Sequence, residues 1–170
     1  MPCHTKSYDY GRILLYSTME QIIIEKIESY ALLGKCAPIL VEAYNTEPWN
    51  DEWTYEKALE KLECFYHSPK FIGFIAYEGS EIKGACIGNI EPYYTGDYYY
   101  LKEMFVSPSA QKKGIGKKMM DALKQHLEQL EIRQIVLFTS KDYFPFNFYE
   151  KEQFRTMEGM NMMHFGAENG

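Results

Sequence analysis

The sequence predicts a single α/β (α+β) domain, built as a mixed, largely antiparallel twisted sheet of six to seven strands flanked by about four helices. Three observations predict it. Two helix-period segments near the start precede a run of β-rich segments joined by tight turns. One long amphipathic stripe then leads into a short apolar run, the pattern of a β-helix-β crossover. The length, 170 residues, is close to that of one domain and sufficient for a core without metal or disulfide staples.

In chain order, residues 1–18 lack a period and read as a loosely attached N-terminal extension, with the domain spanning 19–170. Gln21 to Ile27 is rich in isoleucine and reads as the first strand. From Tyr30 to Tyr44, Leu33, Ala37, Leu40, Val41 and Tyr44 recur at helical spacing, which predicts a helix with Pro38 either early in it or kinking it. Thr54 is placed to cap a second helix whose face is Tyr55, Ala58, Leu59, Leu62, Phe65 and Tyr66, ending at Ser68-Pro69. Phe71 to Tyr77 and Ile82 to Ile90 flank Glu78-Gly79-Ser80-Glu81, a hairpin with glycine available for a positive φ. Tyr98 to Val106 continues the meander. Lys112 to Leu130 carries a helical stripe, Gln134 to Thr139 a short buried strand, Phe148 to Lys151 one or two helical turns, and Phe154 to His164 a closing strand.

Composition narrows the partners. Lys plus Arg number 18 against 24 Asp plus Glu, a net charge of −6, the wrong sign for a protein that neutralises a phosphate backbone, so nucleic acid is disfavoured. No apolar run approaches the length of a membrane span or of a signal-peptide core, and a cytoplasmic location is expected. Cys3, Cys36, Cys64 and Cys86 show no C-x-x-C, and His4, His67, His126 and His164 are dispersed, so no metal site is expected.

The most informative stretch is Val106 to Lys118, which joins a strand to an amphipathic helix through a turn bearing Gly114, Gly116, Lys112, Lys113, Lys117 and Lys118. Glycines let backbone approach an anion, the unpaired N–H groups of a helix's first turn point at it, and lysines add charge. A dinucleotide fingerprint is excluded by Met119 at the position of its third glycine, and no G-x-x-x-x-G-K-[ST] is present.

This stretch resembles the acetyl-CoA motif of the GNAT family of N-acetyltransferases, in which L-x-x-x-x-V-x-P leads into Q/R-x-x-G-x-G/A. The matching residues are Leu101, Val106, Pro108 and Gln111-Lys112-Lys113-Gly114-Ile115-Gly116. Phe148-Tyr149-Glu150-Lys151-Glu152-Gln153-Phe154 is similar to that family's F-Y-E-K-x-G-F, with Gln153 in place of glycine. Asp142 and Pro145 depart from its N-x-x-A-x-x-F-Y. The resemblance covers about Gln21 to the C-terminus and implies a GNAT-like fold with acetyl-CoA bound where two central strands splay. It implies that the loop Gln111 to Gly116, with Lys117 beside it, cradles the coenzyme A pyrophosphate. By the same resemblance the strand edge at Phe105 and Val106 pairs with pantetheine amides, a backbone N–H near Met104 or Phe105 meets the acetyl oxygen, and Tyr149 protonates the departing thiolate.

A carboxylate or a water chain near the strand is needed to take the proton of the attacking amine, and Glu103 is the candidate base; the other reading of Glu103 is an ordinary structural carboxylate. Tyr99, Leu101, Glu103 and Phe105 share a face only if no bulge intervenes. The acceptor pocket implied by the resemblance is walled by Trp49, Trp53, Tyr93, Tyr94 and Tyr99 beside acidic residues, which favours a cationic amine, either a small molecule such as a polyamine or aminoglycoside or a peptide. Those aromatics read equally as core, or as a homodimer surface. Two functions outside catalysis stay open: an acyl-CoA-binding sensor, and an interaction module that binds no cofactor.

Overall fold

The structure, a computed structural model, describes residues 21–163, 165 and 166; the expected extension over 1–18 lies outside the described residues. Strands β1 (Ile22–Lys26), β2 (Phe71–Glu78), β3 (Glu81–Glu91), β4 (Tyr98–Val106) and β5 (Ile135–Leu137) form one five-stranded sheet in sequence order. β1 to β4 are antiparallel, with Gly79 at φ 61° in the β2–β3 turn, and β5 lies parallel to β4. The described residues therefore hold five strands, fewer than the six to seven expected. The sheet architecture is otherwise the one the sequence predicts.

Helices cover both faces. Against one face pack α1 (Tyr30–Gly34), α2 (Ala37–Tyr44) and α3 (Tyr55–Tyr66), burying Leu33, Leu40 and Leu62 on Ile75, Ile87 and Phe105. Against the other packs α4 (Ile115–Gln129), whose Ile115, Met119, Leu123 and Leu127 meet Ile72, Phe74, Cys86, Tyr99 and Leu101. The fifth helix, α5 (Phe144–Lys151), follows β5.

Several boundaries differ from expectation for identifiable reasons. The expected helix over Tyr30 to Tyr44 is two helices: Cys36 N–H closes α1 on Leu33 O, and Pro38 sits in the first turn of α2, where its missing donor costs nothing. α4 begins at Ile115, because Lys112 and Gly114 are left-handed, with φ 61° and 80°. α5 begins earlier than expected, with Pro145 in its first turn. No strand forms over 154–163, and His164 lies outside the described residues. A strand needs a sheet edge to take its hydrogen bonds, and β5 offers only three residues.

One irregularity positions the site. The β3–β4 ladder pairs Ile87 with Glu103 but Gly88 with Leu101, leaving Lys102 as an extra residue in β4. A bulge does intervene, and it flips the side-chain alternation. Tyr99 and Leu101 face α4, whereas Phe105 joins the core under α1 to α3, and Met104 and Val106 take the α4 face.

Candidate active site

The cationic turn is open and has the backbone geometry an anion cradle requires. Past Val106 the chain makes a 3-10 turn over Pro108–Ala110, and the left-handed Lys112 and Gly114 bend the backbone into a concavity at the start of α4. None of the backbone N–H groups from Lys112 to Lys117 has an acceptor among the described residues. A Cβ added at Gly114 would meet nothing within 4 Å, so the space beside it is open, while one at Gly116 would touch Met104 and Phe148 at 3.5 Å. The lysines differ in availability. Lys113 lies 3.6 Å from Glu78 and Lys117 is held at 2.9 Å by Asp121, whereas Lys112 and Lys118 make no ion pair among the described residues. The Gln111 side chain turns back and donates to Val106 O at 3.2 Å.

β4 and β5 part beside this cradle. β5 pairs only with Tyr99, Tyr100 and Leu101, so the β5-side edge of β4 from Lys102 to Val106 has no strand partner among the described residues. On α5, the Tyr149 ring is clamped edge-on by Phe148 at 5.2 Å and Phe154 at 5.5 Å. Its hydroxyl makes no hydrogen bond among the described residues and is not a buried orphan, so it remains free to donate to a ligand. Burial, with the nearby Cys86 and Glu103 adding to it, pushes its pKa above the ordinary 10.0.

The turn that holds Tyr149 answers the Gln153 departure. Gln153 is left-handed, with φ 70°. Phe154 N–H bonds Tyr149 O and Gln153 N–H bonds Glu150 O, the paired bonds of a Schellman cap. Glutamine thus takes the glycine conformation at a steric cost of about 1 kcal/mol. Gln153→Gly is expected to raise the melting temperature by about 2–4 °C, measured by calorimetry; an unchanged melting temperature would mean that the glutamine side chain compensates.

Glu103 sits on the α2–α3 side in a three-group cluster. Its Oε1 is 2.7 Å from Lys61 Nζ, its Oε2 accepts from Tyr44 OH at 2.7 Å, and its side chain is 10% exposed. Around it lie aromatic rings: Tyr44 meets Trp49 at 5.7 Å, Trp49 meets Tyr143 at 4.8 Å, and Lys61 Nζ stands 4.8 Å from the Trp53 ring. The connector is held rigid, because Asn45 and Trp53 exchange two hydrogen bonds and Trp53 Nε1 donates to Asp51. Both Glu103 oxygens are thus engaged within the protein.

Of the aromatics expected around an acceptor, Trp49 packs on Tyr44 and Trp53 lies under Lys61, the two partners of Glu103. Tyr93 and Tyr94 lie on the exposed β3–β4 turn and meet at 4.8 Å with their rings tilted by 51°. Tyr99 corrects an expectation: it is fully buried on the α4 face and its hydroxyl donates to Ile72 O, so it walls no pocket. Its place upstream of the bulge is the reason. Sequence reasoning missed Tyr44, Lys61 and Tyr143, which read as ordinary helix and loop positions and become neighbours only through the tertiary fold. Among the described residues no group of three or more His, Cys, Asp or Glu is placed to hold a metal ion, and no helix is long and apolar enough to cross a membrane.

Comparison with known proteins adds a family. The model of the acetyltransferase (GNAT) family matches residues 35–153. No curated protein matches the chain in sequence. Among solved structures, an aminoglycoside acetyltransferase from an uncultured soil metagenomic sample, in complex with trehalose, is 16% identical with a TM-score of 0.68, over 86% of this chain and 97% of that one. An aminoglycoside N-acetyltransferase in complex with CoA is 16% identical with a TM-score of 0.65, over 88% of this chain and 96% of that one. A predicted acetyltransferase from Clostridium acetobutylicum, with acetyl-CoA, is 20% identical with a TM-score of 0.62, over 85% and 96%. At these identities the likeness carries the fold.

Proposed function

The chain belongs to the acetyltransferase (GNAT) family, and from that premise we propose that it is an N-acetyltransferase moving the acetyl group of acetyl-CoA to a primary amine by direct attack in a ternary complex. The acceptor class is a small cationic molecule, such as a polyamine or an aminoglycoside, or a peptide amine. The observation that carries the reading is the edge of β4 that has no strand partner among the described residues, running into the open start of α4, with the Tyr149 hydroxyl, which makes no hydrogen bond among the described residues, on the neighbouring α5.

The turn suits a pyrophosphate: six N–H groups and the Lys112 and Lys118 ammonium groups that have no partner among the described residues, with open space at Gly114, are what a doubly charged anion needs. Gly114, Ile115 and Gly116 contribute backbone, Lys113 and Lys117 a weaker field because carboxylates already hold them. The edge at Phe105 and Val106 offers amide hydrogen bonds, although Gln111 occupies the Val106 carbonyl. When bound, acetyl-CoA supplies the thioester. A β4 N–H at Met104 or Phe105, re-aimed by the bulge, receives the developing oxyanion. Tyr149 donates a proton toward sulfur, and Glu103 takes one from the amine.

A cationic acceptor is supported by chemistry already present, since Trp53 and Glu103 together hold an ammonium, that of Lys61. The two aminoglycoside acetyltransferases of similar fold point the same way. The test is a calorimetric titration with acetyl-CoA, with free coenzyme A as comparison. The wild type is expected to bind in the micromolar range, and the double variant Lys112→Glu, Lys118→Glu at least about tenfold more weakly. Absence of binding at millimolar acetyl-CoA by a folded sample would overturn the reading and favour an interaction module.

A further inference from the structure

Lys61 occupies the position that a cationic acceptor is expected to take. Its ammonium lies 2.7 Å from Glu103 Oε1, 4.8 Å from the Trp53 ring and 5.9 Å from that of Phe65. The exposed helix pair Lys57–Glu60 is different: its side chains are 70% and 62% exposed, whereas Glu103 is 10% exposed and Lys61 32%. The backbone under Lys61 is fixed, because its neighbours Ala58 and Leu62 are fully buried in the core beneath α3. The carboxylate that holds the amine immediately precedes Met104. Tyr44 OH donates to the other oxygen of Glu103 at 2.7 Å, so the Lys61 amine, the carboxylate and the Tyr44 phenol form one cluster.

We propose that Lys61 is itself an acceptor, so that the protein acetylates its own Lys61 side chain from acetyl-CoA, an inference that rests on the transferase reading above. Lys61 Nζ passes one proton to Glu103 and attacks the thioester carbonyl carbon. The N–C bond forms as the C–S bond breaks, a second nitrogen proton passes to the sulfur, and coenzyme A leaves as the free thiol. Glu103 returns its proton to solvent. The product is a neutral amide, so Glu103 Oε1 loses its ionic partner and becomes available to a second, external amine. Acetylation of Lys61 therefore uncovers the carboxylate that the bimolecular reaction uses.

The test incubates the purified protein with acetyl-CoA and follows intact mass, with peptide mapping. Wild type is expected to gain one acetyl group and Lys61→Arg none. The rate constant for Lys61 should be independent of protein concentration and at least about tenfold that of the more exposed Lys57, because the amine is held in place. Indole emission should shift in step with the mass change, as the charge over Trp53 disappears, and stay constant in Lys61→Arg. Modification of Lys57 as fast as Lys61 would mean chemical acetylation of exposed amines and would overturn the proposal. So would an unmodified Lys61 in a sample that acetylates an added polyamine, an outcome that leaves the transferase reading intact. A sample that neither binds acetyl-CoA nor acetylates any amine removes the transferase reading and this inference with it.

Discussion

Tyr149→Phe is expected to lower turnover by about 10²–10⁴-fold while leaving acetyl-CoA affinity and stability nearly unchanged. The expectation rests on what the hydroxyl does not do. It makes no hydrogen bond among the described residues, so its removal orphans no partner. The ring contacts with Phe148 and Phe154 are those a phenylalanine retains. Stability should therefore move by no more than about 0.5 kcal/mol, and a loss of rate can be assigned to the proton. Because burial raises the phenol above its ordinary 10.0, it stays protonated across the neutral range, and any alkaline limb of the rate profile there belongs to another group. Steady-state kinetics by thiol release, with calorimetry on both proteins, make the measurement. Full turnover in the variant would remove Tyr149 as proton donor. A protein that binds acetyl-CoA but turns over no amine in either form would be a sensor.

What the sequence made legible is what lies close together along the chain. The turn at α4 is such a case: Gln111 to Lys118 contains the glycines, the lysines and the helix start on which the proposed anion site rests, and nothing distant is needed to read it. The α4 stripe and the hairpin at Gly79 were readable for the same reason, each being a local period or turn. Glu103 shows the limit. Its residue type and strand suggested a base, but its partners arrive from α2 and α3: Tyr44 is 59 positions away along the chain. Lys61 carries no mark in the sequence, because no local pattern identifies a side chain that reaches a distant carboxylate. The closing strand failed because residues 154–163 hold only Phe154 and Thr156 of the strand-favouring types and β5, three residues long, offers little edge to pair with. The bulge was also out of reach, because β4 is aromatic or apolar on both faces and its alternation specifies no register.

That bulge is held from across the sheet, and Gly88→Ala is expected to destabilise the fold by about 2–3 kcal/mol and to reduce turnover as well. A Cβ at Gly88 would overlap the carbonyl oxygen of Tyr100 and approach Cζ and the hydroxyl of Tyr99 at 2.8 Å. Neither neighbour can yield cheaply. The carbonyl is backbone in the β4 ladder, and the Tyr99 ring is fully buried with its hydroxyl fixed on Ile72 O at 2.8 Å. The least costly relief is a shift of β4 around Lys102, which moves Glu103 away from Lys61 and Tyr44 and re-aims the edge at Met104 and Phe105. Urea denaturation should show a lower midpoint at unchanged slope, and the rate should fall in the folded fraction. Gly34→Ala is the matched control, because a Cβ there meets only Leu59 Cδ1 at 3.8 Å and the new methyl fits. Wild-type stability in Gly88→Ala would mean that β4 slides without cost and that Gly88 does not pin the bulge. A destabilised variant with full turnover in its folded fraction would separate the bulge from the chemistry and place the oxyanion donor elsewhere on β4.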